Sequence, residues 1–268
     1  MRTPTHPTAP ATWNSAQEHP LTAENLRLLL DNRIAAIRIK GFATLEECSS
    51  FAAAAKKGRM QFYNVSDVIG YIGLAQYQYR WNSTKEQFLA DVPKAEADIA
   101  EVFANSFNPL ARLFAKLREV WPADVDFASE NGQRYFAGII RCTSEKIDLH
   151  VDWAPINSPD YTIGAIDGQL GWNFFAEELL TGGHTTVYNH PWDPVREPGE
   201  IPKSYGLDRS LTEGVPNFTY RATAGDVVIF NTRNPQEIAP GQAHPGGSRV
   251  SIGSFIGRMP DNKLVLWA

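Results

Sequence analysis

The stretch "GDVVIFNTRNPQEIAP", residues 225–240, decides how the second half of the chain is built. Val227 to Phe230 form a short apolar run of β-branched and aromatic residues, which reads as a buried strand opened by Gly225-Asp226. "NTRNP" supplies turn chemistry, and "PQEIAP" starts another extended run. Similar runs lie on both sides: "RYFAGIIRCTS", "KIDLHVDW", "GQLGWNFFAEEL", "HTTVYNH", "FTYRAT" and "SRVSIGSFIGRM". Each is rich in β-branched and aromatic residues and is bounded by Gly, Pro or Asn. From residue 134 onward the chain therefore reads as a succession of short strands.

The first half has a different texture. "LTAENLRLLLDN" (21–32) reads as an amphipathic helix and "AAIRIKGF" (35–42) as a strand ending at a glycine turn. In "TLEECSSFAAAAKKG" (44–58), Thr44 and Glu47 have the spacing of a capping box, and Gly58 is a stop. Between Lys94 and Val120, apolar residues from Ile99 to Leu117 recur at helical spacing, and Pro109 should kink or split that helix. Helices followed by strands predict an α+β fold with an antiparallel jelly-roll core and the N-terminal helices packed on it. The expected division is a flexible leader at 1–20 and one domain at 21–268, helical to about 133 and jelly roll from about 134. The connection 190–217 is long enough to be a lid or binding loop.

Composition narrows the function classes. The chain has 268 residues, 43% hydrophobic and 21% charged, as in a soluble globular protein. A net charge of −5 argues against a sequence-independent grip on nucleic acid. No apolar run reaches the length of a membrane span. Two cysteines, Cys48 and Cys142, form neither a disulfide framework nor a zinc spacing, so a cytoplasmic location is the default. A small-molecule partner is the natural expectation, and a homodimer stays open.

Three strands carry residues with chemistry. In an extended strand side chains alternate faces, so His150 and Asp152 of "LHVDW" project together and can reach one metal from one rigid element. Arg249 and Ser251 of "SRVSI" likewise share a face, and a guanidinium beside a hydroxyl suits a carboxylate. In "GGHTTVYN" (182–189), Thr185 begins a strand after two glycines that permit close backbone approach. "YRWN" (79–82) places Arg80 and Trp81 together in the first half, and Trp153 follows the His-x-Asp pair. These three are substrate candidates, with a structural cluster around a snorkelling Arg80 as the competing reading.

The ordered set "HVD", "GGHT", "GDVVIFNTRNPQE" and "RVSIGSFIG" resembles the iron(II)/2-oxoglutarate-dependent oxygenases. The "GG-x-T-x-V-x-N-x-x-W" pattern at 182–192 and the "KLVLWA" ending look closer to the small-molecule hydroxylases and halogenases. The resemblance implies a double-stranded β-helix of the cupin-like kind. Fe(II) would be held by His150 and Asp152, and 2-oxoglutarate by Arg249 with Ser251, with Thr185 lining its pocket. It implies an enzyme that uses dioxygen and releases succinate and carbon dioxide while hydroxylating an amino-acid-like or alkaloid molecule. Halogenase members carry a small residue in place of the carboxylate; Asp152 is present, which favours hydroxylation.

One position departs from that pattern. The family's third ligand is a histidine, and here Gln236 stands in its place. Four explanations compete. In the first, Gln236 coordinates through its weaker neutral oxygen or leaves the position to water, with the enzyme still active. In the second, the ligand is lost, leaving a catalytically impaired protein that binds metal and 2-oxoglutarate. His184 could supply the imidazole as an alternative third ligand, although strand parity with Thr185 argues against it, and His244 could reach in from its loop.

Overall fold

The structure, a computed structural model, describes residues 12–63, 66–79, 83–192 and 205–268. Its central element is a sheet of ten described strands. Gly168–Glu177 lies at its middle, antiparallel to Val227–Asn231 on one side and to Arg249–Arg258 on the other. The sheet continues through Ala36–Ile39 beyond the first neighbour and through Ile139–Thr143 and Ser66–Ile72 beyond the second. A four-stranded sheet faces it, ordered Asn217–Tyr220, Thr185–Tyr188, Gln236–Ile238 and Ile147–His150. The fold is α+β with a jelly-roll core.

Alternation along the strands sorts the side chains into two layers. Trp172, Phe174, Val227, Ile229, Val250 and Ile252 turn toward the helices and form the large core. Phe42, Phe51 and Phe107 pack against Phe174 there, with ring centroids 5.5–5.8 Å apart. Phe175, Val228 and Phe230 turn the other way, toward Val187, Phe218 and Tyr220 of the smaller sheet. The space between the sheets is thus apolar along one stretch. Elsewhere it receives Arg249, Ser251, Thr185 and Gln236, all buried.

The helices follow the local signals. Leu45–Lys57 begins at a complete capping box: Thr44 accepts from the Glu47 amide at 3.2 Å and its own amide donates to the Glu47 carboxylate at 2.9 Å. Pro109 splits the long helical segment in two, Lys85–Ala104 and Pro109–Val120. It takes the first position of the second helix, where its missing N–H costs nothing, and Asn108 caps that helix from Ala111 at 2.9 Å. Among the described residues no helix is long and apolar enough to cross a membrane.

One expectation needs revision. Residues 12–19, read as part of a flexible leader, are docked. Trp13 is buried in the inter-sheet core, and the Asn189 side chain accepts from its amide at 3.2 Å and donates to its carbonyl at 2.7 Å. Glu18–His19 then adds a parallel strand beside Ala36–Ile39. A single well-buried indole and two side-chain bonds that imitate a strand pair hold a segment with no periodic signal of its own. In the connection 190–217, residues 193–204 lie outside the described residues. Its returning end is anchored: Tyr205 bridges His150, and the Leu207 amide donates to the Leu149 carbonyl at 2.9 Å.

Candidate active site

The strand carrying His150 pairs antiparallel with the one carrying Gln236, and the two residues stand directly opposite. Opposed residues on antiparallel strands share a face, so both side chains enter the space between the sheets. Asp152 follows on a segment pinned from both sides by Thr232: its amide donates to the Thr232 carbonyl and the Thr232 hydroxyl donates to its carbonyl, both at 3.0 Å. The turn "NTRNP" therefore acts as a bracket on the His-x-Asp segment.

Three polar groups converge as a result. His150 Nε2 lies 3.6 Å from Asp152 Oδ2, and Gln236 Nε2 donates to the same oxygen at 3.1 Å. His150 Nδ1 sits 2.7 Å from the Asp148 carbonyl, which fixes the proton there and leaves Nε2 as the free lone pair. Gln236 Oε1 is buried with no hydrogen-bond partner. A buried amide oxygen left unpaired costs about 1–3 kcal/mol, so its environment is completed by something that attracts a lone pair. An imidazole nitrogen and a carboxylate, with an orphaned amide oxygen on the side chain beside them, fit a divalent cation of the Fe(II) type. Among the described residues no group of three His, Cys, Asp or Glu side chains is placed to hold a metal.

The other candidates separate. His184 is exposed on the outer face, its parity opposite to that of buried Thr185, and its field reaches Glu237 instead. His244 is exposed and lines a surface cleft of about 410 Å³ with Leu45, Cys48 and Arg221. Neither joins His150. Trp153, a substrate candidate, is buried in the large core with the Arg233 guanidinium 4.7 Å from its ring centroid, so the structure does not bring it to an open face. Arg80 and Trp81 lie outside the described residues.

Arg249 is only 4% exposed, and among the described residues no carboxylate lies within ion-pair distance of it. Its Nη1 donates to the Gly183 carbonyl at 3.4 Å, so the side chain reaches from the large sheet to the entrance of the small one. The preceding glycine serves a different close approach: Gly182 has φ +69°, and a Cβ there would meet the Pro240 carbonyl oxygen at 2.2 Å. Burial pushes the Arg249 pKa down to about 10, with a second cation, Arg141, adding to the effect. Tyr220 stands opposite Thr185 in register; burial pushes its phenol up to about 12, against the pull of the Thr185 hydroxyl and Arg249. Ser251 is buried and follows Arg249 on the same face.

Arg141 is the residue that the sequence reading missed. It stands directly opposite Ser251 on one side and Tyr71 on the other, hence on the same inner face. Burial opposes its charge, while Tyr63, Tyr77 and Asp152 raise its pKa. The available signal was a lone cation inside the apolar run "AGIIRCT", whose alternation places it on one face of a buried strand.

A jelly roll whose interior receives a His-x-Asp pair and a buried arginine and serine is the arrangement of the iron(II)/2-oxoglutarate-dependent oxygenases. The sequence matches the profile of the carrier-protein-independent halogenase WelO5 across residues 14–268, and the chain belongs to that family. It is 29% identical over 211 residues to leucinostatins biosynthesis cluster protein S of Purpureocillium lilacinum, covering 75% of this chain and 86% of that protein. It is also 29% identical over 165 residues to L-gamma-glutamyl-L-propargylglycine hydroxylase of Streptantibioticus cattleyicolor, 60% of this chain and 59% of that one. Among solved structures it resembles an N-substituted L-amino acid dioxygenase from Burkholderia ambifaria AMMD in complex with alpha-KG. That likeness has a TM-score of 0.59 at 12% identity, covering 92% of this chain and 91% of the other, and is one of fold. The protein is a 2-oxoglutarate-dependent enzyme of this class, with Fe(II), 2-oxoglutarate and dioxygen as its cofactor and cosubstrates.

Proposed function

We propose that this enzyme hydroxylates an unactivated C–H bond of an amino-acid-like small molecule. The observation that carries the reading is Arg249: a buried guanidinium without a protein anion, beside Ser251 and facing the same interior as His150, Asp152 and Gln236. A cation in that position is costly until an anion arrives, and the distal carboxylate of 2-oxoglutarate supplies one. Thr185 and Tyr220 line the same end and offer hydroxyls to it.

In this reading His150 Nε2, an Asp152 carboxylate oxygen and Gln236 Oε1 hold the iron. When bound, iron with 2-oxoglutarate and dioxygen supplies the oxidising power for C–H cleavage, the cosubstrate leaving as succinate and carbon dioxide. The chain's own work is positional. The Asp148 carbonyl orients His150, the Thr232 bracket holds Asp152, and the apolar inter-sheet core keeps water from the buried end.

Asp152 favours hydroxylation over halogenation, because it occupies the position that a halide takes in halogenase members. The hydroxylase among the relatives and the amino-acid dioxygenase fold support the choice of substrate class. The test is anaerobic titration of the iron-loaded protein with 2-oxoglutarate, watching for the visible charge-transfer band of the chelate. Succinate release under oxygen then follows, with mass spectrometry of the product. Oxygen incorporation is expected with chloride present; a chlorine isotope pattern, or a chelate band without succinate, would overturn the reading.

A further inference from the structure

We infer that Arg141, set against a wall of tyrosines, is the receptor for a carboxylate on the primary substrate, so that the enzyme takes a monoanionic carboxylic acid with an apolar or aromatic body. This deepens the oxygenase reading above and rests on it.

Geometry directs Arg141 away from the 2-oxoglutarate clamp. Its strand, Ile139–Thr143, lies between that of Arg249 and Ser251 and that of Tyr71. Its Nε donates to the Tyr63 hydroxyl at 3.0 Å, and Tyr63 belongs to the strand beyond Tyr71, on the side opposite Arg249. Tyr63 stacks on Tyr71 at 4.3 Å and 27°, and lies parallel to Tyr77 at 6.5 Å and 16°. The guanidinium is thereby turned toward an aromatic wall. It is partly buried rather than solvent-exposed.

The chemistry of the unfilled bonds identifies the ligand. With Nε committed to Tyr63, both Nη amines lack a hydrogen-bond partner among the described residues, and no described carboxylate is within ion-pair distance. An arginine presents those amines as a flat fork that matches a carboxylate's two oxygens. The tyrosines add donors: the Tyr63 hydroxyl accepts from Arg141 and the Tyr71 hydroxyl accepts from Gln78 at 3.3 Å, so each proton remains free. Burial raises the phenol pKa values of Tyr71 and Tyr77, keeping both protonated.

Charge balance leads to the same class. Arg141 and Arg249 face one interior, and the charge of Arg141 helps lower the pKa of Arg249. The two charges of Fe(II) are offset by the two of 2-oxoglutarate, and Asp152 offsets one arginine. Among the described groups facing this interior, one guanidinium charge stays uncompensated until a second anion enters. A neutral alkaloid would leave it so, whereas a monocarboxylate closes the balance, and the stacked rings suit an apolar or aromatic body beside it.

The experiment is calorimetric titration of the anaerobic, Fe(II)-loaded protein, first with 2-oxoglutarate and then with N-acetyl-L-leucine and N-acetyl-L-phenylalanine, each against its uncharged amide. The acids are expected to bind at least about tenfold more tightly than the amides, as charge-assisted bonds require. Arg141→Gln should bring acids down to the level of amides and Arg141→Lys should retain part of the preference. Both should leave 2-oxoglutarate affinity within about threefold, less than the loss of one hydrogen bond. A thermal melt checks that the variants fold, and the acid–amide comparison in the wild type needs no variant. If acids and amides bind alike, or neither binds, the inference fails while 2-oxoglutarate binding leaves the oxygenase reading standing. A fall in 2-oxoglutarate affinity in Arg141→Gln as large as in Arg249→Gln would assign this arginine to the cosubstrate and also overturn it. If the wild type binds no 2-oxoglutarate, both readings fall together.

Discussion

Replacing Arg249 by glutamine tests the carboxylate clamp through two measurements that move in opposite directions. In the folded protein this guanidinium has one hydrogen bond, to the Gly183 carbonyl at 3.4 Å, and no carboxylate partner among the described residues. Burial lowers its pKa to about 10, still far above neutrality, so the charge is retained and its desolvation is uncompensated in the ligand-free protein. Removing one partner of a buried, hydrogen-bonded charge pair costs about 2–5 kcal/mol of binding, which corresponds to a loss of about 30-fold to several thousand-fold in 2-oxoglutarate affinity. The same change removes an unpaired buried cation, so the ligand-free variant should melt no lower than the wild type. Saturating 2-oxoglutarate at about 100 times its Kd should add about 2.7 kcal/mol to wild-type stability and far less to the variant. Calorimetry with the iron-loaded protein and thermal melts with and without 2-oxoglutarate measure both. The clamp assignment is refuted if Arg249→Gln binds 2-oxoglutarate within about threefold of the wild type, a change too small for one lost charge-assisted bond.

Gln236→His should tighten Fe(II) by at least about tenfold in competition with a metal chelator, since imidazole is the better donor at the orphaned Oε1 position; unchanged affinity would mean that residue 236 does not contact the metal. Thr44→Ala removes the cap of Leu45–Lys57 and should cost about 1 kcal/mol, seen as a melting temperature lower by about 2–4 °C. The bonds from Arg112 and the Thr44 amide hold Glu47 down to about 2 from its ordinary 4.5. Its depressed folded pKa means that its stabilisation is complete above pH 4.5 and is lost as pH falls to about 2. Chemical denaturation should therefore show Glu47→Gln less stable than the wild type near neutrality, with the difference gone at about pH 2; a difference independent of pH would exclude the charge as its cause.

What the sequence determined by itself is local. The capping box at Thr44 and Glu47 and the split at Pro109 follow from residue chemistry within a few positions, and both appear where the pattern puts them. The two-residue period of a strand placed His150 with Asp152, and Arg249 with Ser251, on common faces without reference to any neighbour. Non-local pairing decided the rest. Gln236 meets His150 because its strand lies beside that of His150 in a register that sets the two residues opposite. His184 is turned outward by the same rule, since a shift of one residue would have exchanged its exposed face with the buried one of Thr185. Trp13 docks through a side chain 176 residues away, and Arg141 enters the interior because its strand was inserted between those of Ser251 and Tyr71. Periodicity specifies which way a side chain points. Which other side chains it meets there is set by burying whole sheet faces together, an energy that no short stretch of chain contains.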